Sequence, residues 1–218
     1  QEASSSTSYR ADPDDPAPSS TGVCYTVTRL TAGGTRRINT NGAWDQAEGP
    51  HLYDAEPPYL PLSARPDLIV FQTAPLPSDL KVTGHPIVEL WVSADVPDAD
   101  FVAKLIDVYP PSPDAPRGFA LGVSEGIQRA KFRDGFEKPE MMVPGQRVRV
   151  RVELRPLSNL FRQGHRLRID VTSSSWPHFD VNTHTGRNPS EDFERRVAHL
   201  TIHHEKGRPS RVLLPVSR

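Results

Sequence analysis

The residues best suited to chemistry in this sequence are a glycine-flanked serine, a histidine-rich stretch, an acidic run and one loop that crowds aromatics among turn-formers. Gly122-Val123-Ser124-Glu125-Gly126 has the GxSxG spacing of a nucleophile elbow, in which a buried strand delivers serine into a strained turn and a helix follows. The surrounding sequence does not supply that context. RGFALGV upstream is a weak strand, and IQRAKFRDGFEKP downstream runs into Gly135 and Pro139. A short helix from Gly126 is conceivable, but the residues suit a strand equally and an all-β chain offers no parallel sheet to support an elbow, so no catalytic residue is assigned. His199, His203 and His204 offer imidazoles, with Thr201 and Ile202 between them favouring a strand. On a strand His199 and His203 stand roughly 13 Å apart, too far to share one metal ion, so a histidine-rich surface strand is expected. Ser93, Asp95, Asp98 and Asp100 group oxygen ligands but lack the glycine and terminal glutamate of a calcium loop, and side-chain turns account for them. His85, between Gly84 and Pro86, reads as a turn residue. No metal site and no cofactor site is expected.

The stretch Ser173 to Gly186, SSSWPHFDVNTHTG, places Trp176, His178 and Phe179 beside turn-formers in what should be an exposed loop. Exposed aromatics seek cover, either over the end of their own domain or on another domain or a substrate, and both readings stay open on the residues alone. Arg147, Arg149, Arg151, Arg155, Arg166 and Arg168 could line a basic strand face. Without interleaved aromatics they suit a solvated or ion-paired surface better than a nucleic-acid site.

What must position these groups is a set of short strands. Val148, Val150, Val152 and Leu154 alternate with arginines and Glu153; Leu167, Ile169 and Val171 repeat the pattern, as do Ala198, Leu200 and Ile202, and Val212, Leu214 and Val216. That period of two marks sheets with one buried face. Val82, Val88, Leu90 and Val92 do the same, with Trp91 on the opposite face, and Asp67 to Gln72 forms a shorter run. Phe101 to Tyr109 is apolar on both faces apart from Lys104 and Asp107, as a central strand is. With 36% hydrophobic residues, 23 Pro and 14 Gly, the chain suits eight to ten strands in a β-sandwich or jelly roll better than helices. Gln1 to Gly22 is too polar and proline-rich to order by itself, so it is expected as a tail, a linker or a strap lying on something else, with residues 23–218 forming the sandwich domain. Cys24 to Leu62 reads as loops with short strands. The opening at Gln1, without Met, points to a fragment or a processed product.

Charge and composition narrow the partners. Lys plus Arg (26) nearly equals Asp plus Glu (27), so no overall field attracts nucleic acid or an anionic membrane, and no apolar run approaches the length of a membrane span. The lone Cys24 excludes an intramolecular disulfide.

Longer blocks carry a specific likeness. PLPSDLKVTGHPIVELWVSADVPDADFVAKLIDVYP, then RAKFR, then PLSNLFRQGHRLRIDVTSSSWPHFDVNTHTG, together with YRADPDDPAPS near the start and VLLPV near the end, resemble the C-terminal domain of the X-Pro dipeptidyl-peptidase and cocaine esterase family of α/β-hydrolases. α-Amino-acid ester hydrolases and glutaryl-cephalosporin acylases belong to it too. The resemblance departs after Asp45-Gln46, where GPHLYDAEPPYLPL looks like an insertion. It implies a galactose-binding-like jelly roll that follows an α/β-hydrolase domain holding the Ser, Asp and His triad and a helical cap, with Gln1 to Gly22 as the strap leaving the catalytic domain. It implies partners in those two domains, no nucleic acid and no membrane, with homo-oligomerisation open and a bacterial cytoplasm favoured over secretion. It also implies that Trp176, His178, Phe179, Asp180 and Asn182 lie at the domain interface or the pocket rim. The rival expectation is a carbohydrate-binding module, with Trp176 and Tyr109 as a stacking platform.

Overall fold

Where apolar residues alternate, strands form, and thirteen appear among the residues that a computed structural model describes: 6–20, 26–31, 34–39, 45–49, 56–188 and 190–217. In chain order they are β1 (Ser6–Ala11), β2 (Thr26–Thr31), β3 (Gly34–Asn39), β4 (Ile69–Gln72), β5 (Leu80–Gly84), β6 (Ile87–Ala94), β7 (Asp100–Tyr109), β8 (Phe119–Arg129), β9 (Val148–Glu153), β10 (Leu157–Phe161), β11 (Arg166–Thr172), β12 (Ala198–His203) and β13 (Arg211–Leu213). Only two single-turn 3₁₀ segments, Leu62–Ala64 and Ala130–Phe132, interrupt the β structure among these residues.

Two sheets make the sandwich, and every strand pairing within them is antiparallel. In the first, β9 pairs along residues 87–92 of β6. β12 takes residues 91–94 and β13 residues 87–89, so these two strands lie end to end on the other edge, with β1 outside β12. The second sheet runs β4-β11-β7-β8, and β5 and β10 form a separate pair. The predicted alternation is visible in β6, where Val88, Leu90, Val92 and Ala94 are buried and Trp91 faces the other way. Those side chains, with Val150, Val152, Leu200 and Ile202, meet Phe101, Ala103, Leu105 and Val171 of the opposing sheet in one core. Each of the valine, leucine, isoleucine and phenylalanine side chains among them contributes about 1.5–3 kcal/mol by leaving water. The all-β sandwich expected from the sequence is the fold observed.

One local expectation changes and two gain detail. Ser6–Ala11, assigned to the strap, form an edge strand on β12, because Tyr9 and Ala11 turn inward and give that segment the buried area it lacks alone. Thr26–Thr31 and Gly34–Asn39, assigned to loops with short strands, form a hairpin. Cys24, Trp44 and residues 50–55, within the insertion-like segment, lie outside the described residues. The GxSxG motif lies inside a strand. Leu105 pairs with Ser124 but Ile106 pairs with Gly122, so Val123 is the extra residue of a β-bulge inside β8. Gly126 is there because β9 comes too close for a side chain: a Cβ would lie 2.1 Å from the backbone oxygen of Glu153.

Candidate functional site

The face of β7 turned away from the core carries Lys104, and register places it directly between Glu125 of β8 and Asp170 of β11. Cross-strand neighbours on one face stand about 5 Å apart, so the three charges form a single row. All three are buried, with exposures of 0%, 1% and 0%. Arg168 adds a two-pronged contact to Asp170, at 2.6 Å for both nitrogens. Burial pushes the Lys104 ammonium down from its ordinary value and Asp170 up, while Glu125 and Asp170 pull Lys104 back and Arg168 pulls Asp170 back. A charged row of this kind can stay dry only if polar groups cover it.

The cover is the strap and the loop after β11. Lys104 Nζ donates to the carbonyl of Pro18 at 3.2 Å. Ser19 N–H donates to the Trp176 carbonyl at 2.7 Å, Trp176 N–H to the Ala17 carbonyl at 2.9 Å, and Ala17 N–H to Ser174 Oγ at 2.7 Å. Strap and loop thus zip together as a short parallel bridge, and Ser20 Oγ extends the seam to Gln46 at 2.6 Å. On the far side of the seam, His178 Nδ1 meets Glu125 at 2.5 Å and its Nε2 faces Arg155 at 2.6 Å. A carboxylate–imidazole pair of this type orients a base in serine hydrolases. Here, among the described residues, the imidazole's other nitrogen faces a guanidinium and no hydroxyl, so the pair orients the loop. Ser124 Oγ is likewise committed, donating to the Arg155 carbonyl at 2.7 Å from within β8.

A second polar knot holds the rest of the loop. Asn182 Nδ2 donates to Asp98 at 3.1 Å and Asp100 at 2.8 Å. Arg129 grips Asp100 through two nitrogens at 2.8 Å, and Lys131 stands 3.6 Å from Asp98. Lys131 Nζ also donates to the Gly186 carbonyl at 2.9 Å. Burial and the neighbouring Asp100 raise Asp98 above the ordinary carboxylate range. Burial lowers His184, whose Nδ1 meets the Arg196 carbonyl at 2.6 Å and closes the loop on itself.

These anchors redistribute the residues predicted for an interface. His178 and Asn182 work inside the domain: their contacts shape the loop, and the Asn182 side chain is buried. Trp176 and Asp180 line an open cleft of about 570 Å³ whose opposite wall is the strap at Pro13, Asp14 and Pro16. Phe179 stacks on His178 with ring centroids 3.9 Å apart. Trp176 and Tyr109 do not form one platform. Trp176 bridges to Pro18 over Lys104, whereas Tyr109 ends β7 five residues further on. Tyr109 instead stacks on Phe119, with centroids 4.1 Å apart. The arginines split as well: Arg149 and Arg151 are exposed on β9, while Arg168 is buried in the other sheet. His199 is exposed beside Asp95, and His203 is buried with Nε2 on Ser93. His85 sits in the turn between β5 and β6.

Sequence reasoning missed what the end of the sandwich exposes. β6, β8 and β11 all finish there, and the loops that follow carry Phe136 at 81% exposure, Val143 at 58% and Phe193 at 96%. Phe193 interrupts the charged run EDFERR without any alternation, and a lone aromatic in a fully polar stretch was the available signal.

Comparison with known proteins agrees with this architecture. The model of the X-Pro dipeptidyl-peptidase C-terminal non-catalytic domain matches residues 6–213. The chain is 32% identical over 216 residues to the cocaine esterase of Rhodococcus sp. (strain MB1 Bresler), covering 97% of this chain and 32% of that protein. Among solved structures, it is similar to an α-amino-acid ester hydrolase, with a TM-score of 0.78, 27% identity, and 99% of this chain and 33% of the other covered. An aminopeptidase from a marine sediment Thaumarchaeota archaeon aligns with a TM-score of 0.72 and 26% identity, covering 98% of this chain and 33% of the other. The chain spans about a third of the length of these relatives.

Proposed function

The chain belongs to the X-Pro dipeptidyl-peptidase C-terminal non-catalytic domain family, and from that premise we propose that it buttresses a serine hydrolase acting on ester or amide bonds, packing its strap-and-loop end on the catalytic and cap portions. The observation that carries this reading is the contrast at that end. Polar knots fix the backbone of the loop, yet Phe193 and Phe136 stand at 96% and 81% exposure on loops that meet there. Aromatic side chains held out on a pre-shaped surface are what the centre of an interface requires, since little ordering entropy remains to be lost on docking. An interface of about 800 Å² on this domain would be ordinary for such packing and would let Trp176 and Asp180 form part of the wall around the substrate. The contribution to catalysis is then shape and access, with the nucleophile supplied elsewhere.

Turnover of small activated esters distinguishes this from a self-contained esterase. The chain alone is expected to show none above the solvent rate, and Ser124→Ala to leave the full-length protein's rate constant per folded molecule unchanged. Losing the buried hydrogen bond to Arg155 should cost that variant about 1 kcal/mol of stability. Hydrolysis by the chain alone that disappears in Ser124→Ala would refute the proposal.

A further inference from the structure

Thr172 ends β11 at 0% exposure, and its hydroxyl is without a hydrogen-bond partner among the described residues. Buried hydroxyls are rarely left so, because the lost contact with water is not returned. Thr172 lines a small cavity that leaves about 10 Å³ for the centre of a water-sized sphere. The other polar walls come from three separate pieces of chain: Asp12 on the strap, Asp67 before β4, and Ser173, Ser174, Asn182 and His184 on the loop.

These walls have hydrogen-bonding capacity to spare. Ser174 Oγ accepts from Ala17 N–H, which leaves its own proton to be placed. Asn182 Oδ1 accepts from His184 N–H at 2.8 Å and keeps a second lone pair. Asp67 receives one bond from Arg65 on each oxygen, at 2.8 and 3.0 Å, and each oxygen can accept another. Both carboxylates already have a cation beside them, however: Arg65, which also reaches Asp15, holds Asp67, and Arg10 lies 2.8 Å from Asp12. A cation would face walls whose negative charge is spoken for. A neutral donor–acceptor faces walls that lack both a donor and an acceptor.

We propose that this cavity is the binding site of one water molecule, which hydrogen-bonds the Thr172 hydroxyl and at least one further wall and joins the strap, the end of β11 and the loop. The cavity admits a whole water-sized sphere, with about 10 Å³ in which its centre can lie, so it is roomy enough for a water. Its effect is mechanical. The water closes the polar seam on the side away from Lys104, so that strap and loop move as one body.

The test combines a crystal structure finer than about 1.5 Å with the isosteric variant Thr172→Val. The expected results are one well-ordered peak at hydrogen-bonding distance, about 2.7–3.0 Å, from Thr172 Oγ1 and a second wall atom, and a thermal midpoint lowered by about 2–4 °C in the variant. An empty cavity would overturn the proposal, as would a rise in the midpoint, which is what removing an unsatisfied hydroxyl gives. A peak ringed by five or six oxygens closer than about 2.5 Å would be a cation and would overturn it too. If Thr172→Val does not fold, the electron density of the parent chain decides the matter alone.

Discussion

Gly126→Ala is expected to destabilise the domain by more than about 3 kcal/mol, a large share of the 5–15 kcal/mol that typically separates a folded domain from its unfolded chain. The added methyl group would lie 2.1 Å from the Glu153 oxygen and 2.9 Å from its carbonyl carbon. Both are backbone atoms of β9, so no side chain can swing aside. Relief requires separating β8 from β9, and with them the Leu154 and Val152 packing that joins the two sheets. Chemical denaturation followed by far-ultraviolet circular dichroism measures the cost. A change under about 1 kcal/mol would mean that β8 and β9 are further apart than described. The same substitution separates two explanations of GxSxG. In a nucleophile elbow the second glycine serves the active-site turn, whereas here it serves strand packing and its loss is felt as instability.

The second large effect concerns association. Phe193→Asp in the full-length protein is expected to weaken the contact between this domain and the remainder by roughly 30-fold or more, since central interface aromatics commonly carry 2 kcal/mol or more. The isolated domain should hardly register the change, because a side chain at 96% exposure buries almost nothing within it. Binding of the separately produced catalytic portion, measured by calorimetry for the two versions, gives the ratio. Equal affinities would remove Phe193 from the interface.

The fold was legible because its signal is local: β6, β9, β11 and β12 each alternate, and alternation survives without any knowledge of partners. Phe101 to Tyr109 even announced its central position, since only a strand covered on both faces keeps apolar residues on both. Lys104 and Asp107, the apparent exceptions, are buried too. Their partners lie on β8, β11 and β10 or the turn before β11, at separations of 20 residues or more that no periodicity encodes. The same limit explains β1. Six mostly polar residues give no strand signal alone, and Ser6–Ala11 become one because β12, nearly two hundred residues later, offers an open edge. At the candidate site, the sequence singled out the loop Ser173 to Gly186 from its unusual mixture of aromatics and turn-formers. Which side chains face inward could not be read, because Asn182 and His178 are drawn in by carboxylates on other strands, Asp98, Asp100 and Glu125.

The most direct test of the account is backbone hydrogen exchange compared between this chain alone and the full-length protein. Slower exchange in the full-length protein is expected in residues 187–197 and 133–143, the loops that hold Phe193 and Phe136, with little change in β5 and β10. Unchanged exchange in those loops, or protection confined to the β5–β10 side, would contradict the claim that this end of the sandwich docks on the catalytic portion.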